Sequence, residues 1–66
     1  MKMDIYHALQ NLKPDERTCI TLQLMEGETI DHIAAITGIS QNTVKSHLMR
    51  GKEKLAFYLK QNGYER

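Results

Sequence analysis

The sequence lacks almost everything that would point to chemistry. Its one cysteine, Cys19, can make no internal disulfide and no Cys-rich metal spacing. His7, His32 and His47 are scattered, without the helical pairing of a metal site. No glycine-rich phosphate loop and no nucleophile motif occurs. An enzyme is therefore not expected, nor is a catalytic residue, a metal, a cofactor or a small-molecule substrate. No apolar run approaches the roughly 20 residues of a membrane span. Met1-Lys2-Met3-Asp4 lacks the long apolar stretch of a secretory signal. With a lone cysteine, the expected compartment is the reducing cytoplasm. Strand signals are equally thin, because no stretch alternates apolar and polar residues for long.

What is present fits one small globular domain. Sixty-six residues allow no more than that, and 41% hydrophobic with 26% charged residues argues against disorder. The net charge of +1 hides an asymmetry. Residues 1–39 set Lys2, Lys13 and Arg17 against Asp4, Asp15, Glu16, Glu26, Glu28 and Asp31, a net −3. Residues 40–66 set Lys45, Arg50, Lys52, Lys54, Lys60 and Arg66 against Glu53 and Glu65, a net +4. A basic C-terminal half suits an anionic partner, of which nucleic acid is the commonest. A merely solvated basic face would give the same count.

Helical spacing recurs along the chain. A first helix is expected over about residues 4–12, with Ile5, Ala8, Leu9 and Leu12 as one stripe and Lys13-Pro14 as its end. A second, over residues 14–25, starts on Pro14, sets Asp15 and Glu16 at its positive end, and buries Cys19, Ile20, Leu24 and Met25. Gly27 ends it. A third, over residues 30–37, is capped by Thr29, turns Ile30, Ile33, Ala34 and Thr37 inward, and breaks at Gly38. Ser40 caps a fourth over residues 41–60. Its stripe is Val44, Leu48, Leu55 and Leu59, with Gly51 inside it where another helix comes close. The residues from Gln61 to Arg66 are expected to fray.

The segment from Thr29 to Arg50 is a helix-turn-helix: a short capped helix, a tight glycine turn, a second capped helix. Ala34 marks the close crossing, Gly38 supplies the left-handed turn residue, and Val44 packs into the angle between the helices. Opposite the apolar stripe of the last helix lie Asn42, Lys45, Ser46, Met49 and Arg50, flanked by Gln41 and Thr43. Gln and Asn pair with adenine, Lys and Arg with guanine, and Met49 or the Thr43 methyl can touch thymine. Recognition helices present such N-terminal residues to base edges in the major groove of double-stranded DNA. Ser40 and the neighbouring N–H groups suit a phosphate, and Lys52 and Lys54 suit the DNA backbone. Read as ordinary solvated positions, the same residues would do nothing.

The chain resembles the C-terminal promoter-recognition domain, region four, of bacterial RNA polymerase sigma factors, above all the extracytoplasmic-function group. The resemblance runs over roughly residues 8–59. It rests on Leu12-Lys13-Pro14-Asp15-Glu16-Arg17, Glu26-Gly27, Ile33-Ala34, Thr37-Gly38-Ile39-Ser40, and the stretch from Thr43 to Leu55. It implies an all-α four-helix bundle whose last helix enters the −35 promoter element. It also implies docking on the β flap of RNA polymerase, and masking by an anti-sigma factor. Thr43, Lys45, Ser46, Met49 and Arg50 fall where that helix meets DNA. Arg17 matches a family arginine expected near the DNA backbone or in a structural ion pair. A working sigma factor also needs a second domain for which 66 residues leave no room, so the chain is expected to be either a piece excised from a longer protein or a free-standing regulator built from the same part. Three residues depart from the pattern: His32 for a capping-box glutamate, His47 for an arginine, and Gly51 for an alanine.

Two other readings fit parts of the sequence. The DNA-binding domain of LuxR-type regulators is similar over Thr43-Val44-Lys45-Ser46-His47-Leu48 and would dimerise on a palindrome. A helix-turn-helix that binds only protein would use the acidic half and Met49.

Overall fold

The fold follows from one long helix that three shorter segments wrap. The computed structural model describes residues 5–61, with side chains from residue 7 onward. The described residues form α1 (Ile5–Leu9), α2 (Pro14–Ile20), a π-helical turn (Thr21–Met25), α3 (Ile30–Thr37) and α4 (Gln41–Gln61), with no strand among them. The expected start of the first helix at Asp4 lies outside the described residues. Of the stretch from Gln61 to Arg66 expected to fray, Gln61 instead closes α4, one residue beyond its expected end, and the rest lies outside the described residues.

α1 is shorter than its apolar stripe suggests. The α-helix stops at Leu9, and Gln10, Asn11 and Leu12 continue as a tighter turn. Their N–H groups bond to His7, Ala8 and Leu9 carbonyls three residues back, at 3.1–3.2 Å. The tightening still delivers Leu12 to the core, and Lys13 adopts the extended backbone that a following proline demands (φ −67°, ψ 156°).

The second helix departs further from expectation. After Ile20 it widens into a π turn, and Glu26 N–H reaches the Thr21 carbonyl five residues back. Gly27, with φ +71°, then ends it. A stripe extrapolated at the α-helical pitch through Cys19 and Ile20 therefore fails beyond Ile20. Leu24 and Met25, expected inside, are 55% and 41% exposed, while Leu22 packs against the core instead.

α4 spans the molecule and packs on α2, α3 and α1. Its stripe, Val44, Leu48, Gly51 and Leu55, is buried, while Leu59 is half-buried. Across it lie Ala8, Leu9, Leu12, Cys19, Ile20 and Ile33, one continuous core. Gly51 makes the crossing with α2 possible. A Cβ built there would stand 2.6 Å from Ile20 Cγ1 and 3.0 Å from Ile20 Cδ1. No helix among the described residues is long and apolar enough to cross a membrane.

Candidate nucleic-acid interface

The helix-turn-helix is held by short local hydrogen bonds. Thr29 Oγ1 accepts from His32 N–H at 3.4 Å and opens α3. In place of the capping-box glutamate, His32 turns Nδ1 back to Glu28 Oε1 at 2.9 Å. At the other end Gly38 takes φ +76°, a left-handed value that a side chain would strain. Its N–H bonds to the Ala34 carbonyl at 2.9 Å. Thr37 completes the corner: its hydroxyl donates to the Ile33 carbonyl at 2.7 Å and accepts from Ile39 N–H at 3.2 Å. Ser40 Oγ then accepts from Thr43 N–H at 3.2 Å and donates to Thr43 Oγ1 at 2.9 Å. The Ser40 hydroxyl is thus occupied by the cap. Gln41 and Asn42 are the first-turn residues whose N–H groups a helix leaves for an outside acceptor.

Buried Ile33 and Val44 fix the angle between α3 and α4. Gln41, Asn42, Thr43, Lys45, Ser46, Met49, Arg50 and Lys52 are all exposed, Met49 at 58%. Asn42, Lys45, Ser46 and Met49 recur at three- and four-residue steps and share one side of α4. Lys45, Met49 and Lys52 also line a shallow groove with Gln23, Ile30 and Leu48.

Gln23 escaped the sequence reading. Its Oε1 is buried without a hydrogen-bond partner among the described residues, as is Nδ1 of half-buried His47. The only signal for Gln23 was an amide among Leu22, Leu24 and Met25 on a helix expected to be buried.

Two basic residues stand apart from this face. Arg17 is half-buried on α2, and no ion pair or hydrogen bond ties it to the described residues of α4. Lys54 lies about 180° round α4 from Lys45. Its Nζ donates to Glu16 Oε1 at 2.8 Å. Glu16 was expected only as a charge for the helix dipole. It is instead 2% exposed and also accepts from Lys13 N–H at 3.2 Å, one half of a capping box. The Lys54 hydrogen bond holds its carboxyl below the usual range, against the opposing effect of burial, and the Lys13 N–H adds to the lowering. Cys19 is buried, which raises its thiol pKa, and the Asp15 charge raises it further.

A family model, sigma-70 region 4, matches residues 2–55. The chain belongs to this family. A sigma-70 region 4 assignment decides against the LuxR-type reading, which the short Thr43–Leu48 likeness alone could not do. The region 4 chain is 34% identical over 62 residues to the ECF RNA polymerase sigma factor SigE of Mycolicibacterium smegmatis, covering 94% of this chain and 24% of that protein. It is 36% identical over 55 residues to the RNA polymerase sigma factor CarQ of Myxococcus xanthus, covering 83% of this chain and 32% of that protein. The chain therefore spans about a quarter to a third of the curated relatives it matches. No solved structure matches it significantly.

Proposed function

We propose that this domain recognises promoter DNA in transcription initiation, reading the −35 element by placing the first three turns of α4 in the major groove. The observation that carries this is the exposed row from Gln41 to Arg50 on a helix whose start is capped by Ser40 and whose opposite side is locked in the core. Gln41, Asn42, Lys45, Ser46, Met49 and Arg50 read bases, and Thr43 offers its methyl. The N–H groups beside Ser40 take a phosphate, and Lys52 and Arg17 add backbone contacts. Lys54 belongs to the fold, because Glu16 already holds it.

The same proposal places the domain in the cytoplasm, on the β flap of RNA polymerase, and under the control of an anti-sigma factor. It acts by binding and performs no reaction. The names of its relatives, RNA polymerase sigma factors, support the polymerase partnership. Selection from a randomised duplex pool at low salt tests it. An enriched motif whose binding weakens steeply with salt is expected. Retention of every sequence equally would overturn the claim of base reading.

A further inference from the structure

The C-terminal half of α4 carries an exposed row that core packing does not use. Glu53, Ala56, Phe57 and Lys60 recur at steps of three, one and three residues, the spacing of one helix side. All four are exposed, and Phe57 is 65% exposed, the most among the described large hydrophobic side chains left outside the core. Phe57 and Glu53 also border a groove of about 360 Å³ with Asn11, Tyr58 and Gln61. Glu53 and Lys60 lie two turns apart, about 10.5 Å along the axis, too far to pair with each other.

This row is complementary to itself. Turned end for end about a two-fold axis midway between Ala56 and Phe57, it sets each Glu53 against Lys60 of a second copy. Each Phe57 then meets the second copy's Ala56, where the small side chain leaves room for the ring. An isologous interface requires this property of a surface, and a helix row carrying charge of one sign only lacks it. We infer that this face of α4 binds a second copy of the chain, antiparallel, with Phe57 at the centre and two Glu53–Lys60 pairs at the ends. The two α4 helices overlap from residue 52 to residue 61. The row continues the side of α4 that carries Asn42, Lys45 and Met49, so dimer and duplex occupy neighbouring lengths of one face. The inference needs no DNA and stands or falls apart from the proposed function.

Sedimentation equilibrium of the 66-residue chain up to about 1 mM, where even a weak pair forms, tests it. A monomer–dimer equilibrium is expected. Phe57→Ala should weaken it about tenfold or more. Glu53→Lys alone and Lys60→Glu alone should each weaken it, because each sets like charges opposite one another. The double exchange should restore it. All four side chains are exposed, so circular dichroism should show every variant folded. A monomer at every concentration overturns the inference and leaves the row for a different protein. A dimer indifferent to Phe57→Ala and to the charge exchanges also overturns it, by placing the contact elsewhere.

Discussion

Lys54 Nζ reaches across from α4 to Glu16 Oε1 at 2.8 Å, tying the one buried carboxylate among the described residues to the helix that carries the candidate interface. Glu16 is at the same time the cap of α2 through Lys13 N–H. One side chain thus fixes the start of α2 and its crossing with α4. Lys54→Met would leave that carboxylate buried with half its partners, at a cost of about 2 kcal/mol. Urea denaturation of the two proteins at neutral pH measures the difference.

The same pair sets a pH dependence. The Glu16 pKa is lower in the folded chain than in the unfolded one, so the unfolded chain takes up the proton first. The stabilisation is complete above the ordinary glutamate value of about 4.3 and is lost as pH falls from there through the folded value. Denaturation midpoints should therefore drop below about pH 4.3 in the wild type. In Lys54→Met the drop should be shallower, and an equally steep drop would show that other carboxylates dominate.

Gly51 and Ile20 offer a second test. Alanine is the better helix former by about 1 kcal/mol. Against that, a methyl at Gly51 would meet Ile20 Cγ1 at 2.6 Å, and Ile20 is only 1% exposed, with nowhere to retreat. Overpacking of this kind costs about 1–3 kcal/mol. Gly51→Ala should come out net destabilising by about 1 kcal/mol. Ile20→Ala alone should cost about 2–5 kcal/mol, and the double variant should cost less than the sum, because the new methyl fills part of the cavity. Thermal unfolding of the four proteins closes the cycle.

Cys19 should be silent in the folded chain. It is fully buried, and its thiol pKa is raised by that burial and by Asp15, so both access and thiolate are scarce. A chromogenic disulfide reagent should react only as fast as the domain opens, and at full rate in denaturant. Rapid labelling under native conditions would show a looser α2 than the one described.

The helix-turn-helix was readable because its signals are local. Thr29, Gly38 and Ser40 each act on backbone within three or four residues, and Val44 and Leu48 follow from a single period. The close approach at Gly51 was readable too, since a glycine inside an apolar stripe has little other use. The α1 end and the second helix were less so. The sequence marks no π turn at Thr21, and without it Leu24 and Met25 look like core. The tie between Glu16 and Lys54 joins residues 38 apart, which no local pattern reveals. That tie separates Lys54 from the other basic residues of α4, which charge and spacing alone had grouped together.

Arg50 discriminates base reading from simple charge attraction. If it pairs with a guanine, Arg50→Ala costs about 1–3 kcal/mol on the preferred duplex and relaxes choice at one position. A uniform loss over all duplexes would instead make it a phosphate contact. Competition binding on a set of single-base variants separates the two.

The outward side of α4 from Ser40 to Lys52 is the surface proposed to meet DNA. Titrating the isotopically labelled domain with short promoter-like duplexes at low salt, and following backbone amide shifts by NMR, tests it most directly. Shifts concentrated on residues 40–52 and fading as salt rises are expected, with Lys54 and Glu16 little moved. No shifts at low salt, or shifts confined to α1 and the far end of α4, would contradict it.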